Sequence, residues 1–280
     1  HGGHGTDASA AINSAMNLID GGAVIPTLMR AEALTLYAAV LRSNDRFDEA
    51  FAMHEQSLKL LESPDVSREE RAKYLPIGLD RLASSYREAH RIDDAEATYR
   101  RAIQVADELL PEDGIWRGPP RRNLAALLIF ERAESKQQTG DGAGAQQLCE
   151  EAERLLNEAL APKLTVQQAN FNLELLGTRH LLAAAMYCQG RLNEAEQIWR
   201  DVLLLTRQHH KDPTLHHAAF CTHFARLLID NDQLEEAERV LDEAEVQFRG
   251  AKYTEGRYWD RYVETRERLA RTSSQNLNAD

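Results

Sequence analysis

"RIDDAEATYRRAI", residues 91–103, is echoed further along the same 280-residue chain by "RLNEAEQIWRDVL" (191–203) and "QLEEAERVLDEAE" (233–245). A single helix has no reason to reappear with the same grammar. Aligned on the alanine of the "EA" or "DA" pair, the copies are anchored at Ala50, Ala95, Ala195 and Ala237. The gap between Ala95 and Ala195 is about twice the others, and "GDGAGAQQLCEEAERLL" places Ala145 halfway across it. Recurrence at about 42 to 50 residues is the signature of stacked helical hairpins.

The pattern extends backwards from each anchor. Twelve residues before it stands a small residue, Ala38, Ala83, Ala183 or Ala225; nine before it stands a larger apolar one, Leu41, Tyr86, Met186 or Leu228. Seven residues after the anchor comes Ser57, Ala102, Val202 or Ala244. The reason is steric. Antiparallel helices approach closely only where small residues face each other, and bulky residues one turn away then interdigitate with the next layer. Turns precede each anchor ("SNDR", "AHR", "QGR", "DND"), and Gly190 suits the left-handed residue that ends a helix. The 91–103 stretch is thus the start of a second helix, with Ala95 and Ala102 on its packing face and Tyr99 wedged toward the next layer.

The run "LASSYREAHRIDDAEATYRRA" resembles the tetratricopeptide repeat (TPR) family, with Leu82, Ala83, Tyr86, Ala95, Tyr99 and Ala102 at its signature positions. The period near 42, and a connector ending in "ELLPED", are similar to the longer kinesin-light-chain type of repeat. The resemblance covers roughly residues 27–249 and is clearest in the second, fourth and fifth copies. In the first, His54 replaces the usual aromatic. The third departs: "NLAALL" (123–128) opens its first helix, but Ala145 arrives about two turns late, which predicts an elongated helix through "NLAALLIFERAESKQQ" before the turn at Gly140. The implied fold is an all-α, right-handed α-α superhelix, a TPR-like solenoid of about five helical hairpins with terminal capping helices.

Local signals set the boundaries. Ser67 with Glu70 and Thr165 with Gln168 read as capping boxes, and Pro119, Pro120 and Pro213 sit where helices begin. Pro76 predicts a kink or break within the 67–90 helix. "GRYWDRYVETRERLA" puts Tyr258, Tyr262 and Leu269 on one stripe with Trp259 beside it, as a last helix with one polar face needs. "ASAAINSAMNLI" is a short amphipathic helix at the other end. The expected organisation is a tail, tag or linker remnant at 1–6, an N-terminal helix and loop at 7–25, repeats at 26–252, a capping helix at 253–271 and a disordered tail at 272–280. His1 in "HGGHGTD" is read as a cut, scar or processed terminus.

Composition narrows function by exclusion. With 33 Lys and Arg against 45 Asp and Glu, the net charge of -12 opposes binding to nucleic acid or to an anionic membrane. No apolar run reaches the roughly 18 residues of a bilayer span, so membrane insertion is not expected. Cys149, Cys188 and Cys221 are scattered and odd in number, and read as small buried hydrophobes of a reducing, cytoplasmic setting.

No catalytic constellation stands out. "GDGAGA" (140–145) matches a dinucleotide fingerprint only formally, because "FERAESKQQT" before it lacks strand alternation. The run "RQHHKDPTLHHAAFCTH" holds His209, His210, His216, His217, His223 and Cys221, potential zinc ligands without a usual spacing. No cofactor or metal is assigned, and no enzyme activity is expected. The pairs Glu235/Glu236 and Glu150/Glu151 read as solvated.

In TPR-like stacks the first helix of each hairpin lines a concave groove that binds peptides or helices. Residues between the signature positions would then face it: Arg42; Asp80, Ser84 and Arg87; Arg122 and Asn123; His180 and Tyr187; Thr222 and Arg226. The arginines suit an acidic or C-terminal peptide. The Lys/Asn two-carboxylate clamp of the chaperone-binding branch is not carried over, because Thr35, Ala39, Asp80 and Ser84 occupy the comparable places. The resulting expectation is a non-enzymatic scaffold for a protein or peptide partner. Three alternatives stay open: a regulatory or sensor domain of a longer protein, a self-assembling homo-oligomer, and an enzyme using the Trp116 loop "PEDGIWRGPPRRN" as a lid.

Overall fold

The computed structural model describes residues 25–112, 114–160, 173–209 and 212–277, and all their regular structure is helical. The helices are α1 (Thr27–Ser43), α2 (Phe47–Leu61), α3 (Arg68–Glu88), α4 (Ile92–Leu109) and α5 (Gly118–Leu127). A π-helical run, Leu128–Ala133, joins α5 to α6 (Glu134–Gln138). There follow α7 (Gly142–Leu160), α8 (Leu173–Cys188), α9 (Leu192–His209), α10 (Leu215–Asp230), α11 (Leu234–Gly250) and α12 (Arg257–Leu277). The Thr165/Gln168 cap and the 8–19 helix lie outside the described residues.

One joint is built five times. All five anchor alanines are buried, as are Ala38, Ala83, Ala183 and Ala225 twelve residues before four of them. Five residues before the anchors stand Asp45, His90, Gly140, Gly190 and Asp232, and every one has a positive φ, between 58° and 81°. The next amide reaches back over the turn each time: Arg46 to Leu41, Arg91 to Tyr86, Asp141 to Lys136, Arg191 to Met186 and Gln233 to Leu228, at 2.8–3.0 Å. This is the six-to-one bond of the Schellman motif, which satisfies a carbonyl the helix end leaves orphaned. Gly190 behaves as its residue type predicts, and the "GDGAGA" loop is such a turn, its Asp141 side chain accepting from the Gly144 amide at 2.9 Å.

The chain forms two compact units, one up to Glu131 and one from Arg132. In the first, α1 pairs with α2 and α3 with α4, while α3 also packs on α2 and α5. In the second, α8/α9 and α10/α11 are hairpins, α7 packs on α8, and α12 packs on both α10 and α11. Phe248 meets Trp259 and Tyr262 there, each at 5.6 Å between ring centroids.

Four expectations need amendment. The elongated third helix is present but not uniformly α-helical: the π run follows the buried Leu124–Leu127 face and ends on the buried Ala133. Wider turns there let one helix carry two packing faces that are out of phase. At Pro76, α3 continues without a break. Ser67 and Glu70 make both halves of its capping box, so the helix is well nucleated before the ring removes one donor. The last helix runs to Leu277 instead of giving way at 272 to a disordered tail. Thr272 and Ser274 hydroxyls bond back to the Arg268 and Ala270 carbonyls, and Asn276 donates to Asp232 at 3.0 Å.

The fourth amendment is covalent. Cys149 of α7 and Cys188 at the end of α8 form a disulfide with Cα atoms 6.2 Å apart; only Cys221 is a free buried thiol. Disulfides persist where thiols are not kept reduced, so the cysteines no longer argue for a reducing compartment. Among the described residues, no helix is long and apolar enough to cross a membrane.

Candidate interaction faces

The first helices of the hairpins meet along polar rungs spaced by about one repeat. In the first unit, Arg42 lies 3.3 Å from Glu88. Asn123 donates to both carboxylate oxygens of Asp80, at 2.9 and 3.1 Å. Arg87 donates to Glu131 at 3.0 Å with only 13% of its side chain exposed. Burial pushes the Asp80 carboxyl up, and the Asn123 bond only partly offsets that. Ser84 is turned to the Tyr99 hydroxyl, 3.0 Å away.

The second unit has a denser array. Glu134 of α6 is gripped from both sides, by Arg226 of α10 at 3.2 Å and Arg261 of α12 at 2.7 Å. All three side chains stay 21–28% exposed. Arg261 also donates to His223 Nε2 at 3.1 Å. The near nitrogen of His223 is 3.0 Å from His180 Nε2, and His180 Nδ1 accepts from the Trp199 indole at 2.9 Å. With donors at both ends, the imidazole pair has room for one proton between the rings, whereas two neutral rings carry two. Burial, with His216 and Arg261 adding to it, takes the His180 pKa down to about 3, and burial beside His180 lowers that of His223 too. Below this, Asp230 accepts from Tyr187 and from Arg268. Burial, then Asp230, raises the Tyr187 hydroxyl.

The proposed groove residues therefore divide. Arg42, Asp80, Arg87, Asn123, Tyr187 and Arg226 lie on these rungs, each engaged by a neighbouring helix, and Arg122 stands half-buried beside Asn123. His180 and Thr222 are 4% and 1% exposed. That burial removes them from the accessible face: His180 is committed to Trp199, and Thr222 to the Ala218 carbonyl at 2.8 Å. Sequence reasoning missed the acids that occupy the arginines, Glu131 and Glu134, because they lie in the irregular third copy. It also missed Arg261 and Arg268, which the last helix contributes beside its capping role. The one-repeat spacing of Tyr187 and Asp230, or of Arg87 and Glu131, was the available signal.

Beside Trp116, which is 48% exposed, an open hollow of about 770 Å³ is lined by Leu28, Lys73, Tyr74 and Leu110 among others. Its Glu70 is spent on the Ser67 cap. The histidine-rich segment disperses: His216 is exposed, His223 joins the buried pair, and His217 turns to Glu243. His210 lies outside the described residues.

A tetratricopeptide repeat model matches residues 175–214. Among solved structures, BtubC (BKLC) from P. vanneervenii is similar at 16% identity with a TM-score of 0.61, over 90% of this chain and 92% of that one. The nearly identical TPR-like repeats of a putative kinesin light chain from Podosopora anserina are similar at 17% identity and a TM-score of 0.56, over 81% of this chain and 99% of theirs. A Rap protein complexed with competence and sporulation factor is similar at 13% identity and a TM-score of 0.51, over 99% and 73%. No curated protein matches the sequence.

Proposed function

We propose that this chain, which matches a tetratricopeptide repeat model over residues 175–214 and shares its fold with kinesin-light-chain-like repeat structures, is a non-enzymatic interaction scaffold binding a carboxylate-bearing peptide of a partner. The observation that carries this reading is the Arg226–Glu134–Arg261 clamp. Two guanidinium groups from different helices converge on one carboxylate that remains within reach of solvent. Charge-assisted bonds of this kind are directional and suit Asp, Glu or C-terminal carboxylates. Glu134 shows that a carboxylate fits. A preformed receptor face loses little entropy when a peptide is laid on it.

The test is a fluorescence-anisotropy titration of the full chain with acidic peptides, each paired with its Gln/Asn and C-terminally amidated counterpart. Glu134→Gln empties the clamp of its internal charge and is expected to tighten binding of the acidic member about tenfold, the scale of one charge-assisted bond. Arg226→Glu is expected to abolish it, with circular dichroism unchanged. Equal binding of acidic and neutral peptides, or indifference to both substitutions, overturns the reading.

A further inference from the structure

On α10, His217 and Cys221 stand four residues apart and so share one face. The paired helix α11 brings Glu243 against that face. A ring nitrogen of His217, the Cys221 sulfur and a carboxylate oxygen of Glu243 all lie within 4.8 Å of one another. His217 Nε2 is 2.7 Å from Glu243 Oε1. His217 and Cys221 are buried and Glu243 is half-buried. This is a different place from the clamp, and it uses the cysteine that the disulfide leaves free.

We propose that His217, Cys221 and Glu243 form a Zn²⁺ site on the α10/α11 hairpin. The donor set makes the selection. Thiolate sulfur and imidazole nitrogen favour zinc among the common divalent ions, whereas Mg²⁺ and Ca²⁺ require oxygen-rich shells. Thiolate and carboxylate together balance the ion's charge. Three protein ligands leave a fourth position for water or a partner's group. On binding, the Cys221 S–H bond breaks, a Zn–S bond forms and the proton passes to solvent.

Without the ion, Arg207 holds Glu243, with Nε at 2.8 Å from Oε1. Burial pushes the Glu243 carboxyl up, but Arg207 and His217 together outweigh it and bring its pKa to about 2. Arg207 is 47% exposed, so it can withdraw into water when the ion arrives. The fold then does not depend on the metal, and the ion is a reversible ligand. A purely structural His–Glu–Arg network would have no use for the thiol, and this separates the two readings.

The experiment uses the full chain under non-reducing conditions, with Cys149 and Cys188 held in their disulfide. Zn²⁺ uptake is measured by equilibrium dialysis and elemental mass spectrometry, and Co²⁺ substitutes as the spectroscopic probe. One equivalent of Zn²⁺ per chain and a thiolate-to-Co²⁺ charge-transfer band are expected. The band can come only from Cys221. Cys221→Ser should remove it, Glu243→Gln should weaken Zn²⁺ binding more than about tenfold, and His216→Ala should change neither. Absence of the band in the unmutated, folded chain overturns the site, and that result requires no variant to fold. So does Zn²⁺ binding unaltered by Cys221→Ser and Glu243→Gln.

Discussion

The third and fourth hairpins share an anchor alanine, a left-handed glycine five residues before it and the same six-to-one turn bond. Four residues past the anchor they part. The fourth places Trp199 there, 1% exposed, hydrogen-bonded to His180 and 6.2 Å from Phe224 between ring centroids. The third places Cys149, which has little volume to wedge into a neighbour, and ties it covalently to Cys188 on the next helix. The third hairpin is also the one whose first helix passes through a π run. Where packing is regular, a bulky side chain holds adjacent hairpins; where it is irregular, a covalent bond does so. The same position holds Tyr99 in the second hairpin, His54 in the first and the buried Leu241 in the fifth, so one site in the repeat samples five solutions to one problem.

The comparison can be broken at that position. Trp199→Ala should have the largest effect, about 3–5 kcal/mol, since it leaves a cavity and strips His180 Nδ1 of its donor. Urea unfolding followed by circular dichroism measures it, and a loss below about 1 kcal/mol would mean that the aromatic wedge is dispensable. Next is the disulfide. Reducing it, or replacing both Cys149 and Cys188 by Ser, should cost about 2–4 kcal/mol, the scale for a loop of this separation. The melting temperature of the double variant should then ignore reductant, while that of the unmutated chain falls.

The smallest effect sharpens the comparison. His54 lies 3.2 Å from Ser85, but its buried Nδ1 has no hydrogen-bond partner. Burial, reinforced by Arg42 and Arg81, takes its pKa to about 4. A folded-state value below that of the unfolded chain means the unfolded chain binds the extra proton. Stability is therefore lost as pH falls from about 6.5 toward 4, by on the order of 1 kcal/mol per pH unit. His54→Phe should flatten that part of the acid limb and gain up to about 1 kcal/mol at neutral pH. An unchanged slope would assign the acid sensitivity to His180 and His223 instead.

The hairpins, anchors and turns were legible because they rest on local sterics. Small residues at fixed offsets, a capping box at Ser67, and turn residues tolerant of positive φ act within a few residues of themselves and leave a periodic trace. Candidate face residues were half legible. Repeat offsets located Arg87, Asn123 and Arg226, but not what occupies them: Glu131 and Glu134 sit where the period slips, and Arg261 belongs to a helix outside the repeat.

By itself the sequence determined an all-α chain of repeated hairpins, with Ala95, Tyr99 and their equivalents in the joints. Only the tertiary structure decided that Cys149 meets Cys188, that Glu134 fills the Arg226–Arg261 clamp, and that His217, Cys221 and Glu243 converge. A repeat period specifies what each hairpin presents to the next. Pairings such as these depend on the rotation between neighbouring helices, which the whole set of packed side chains settles jointly.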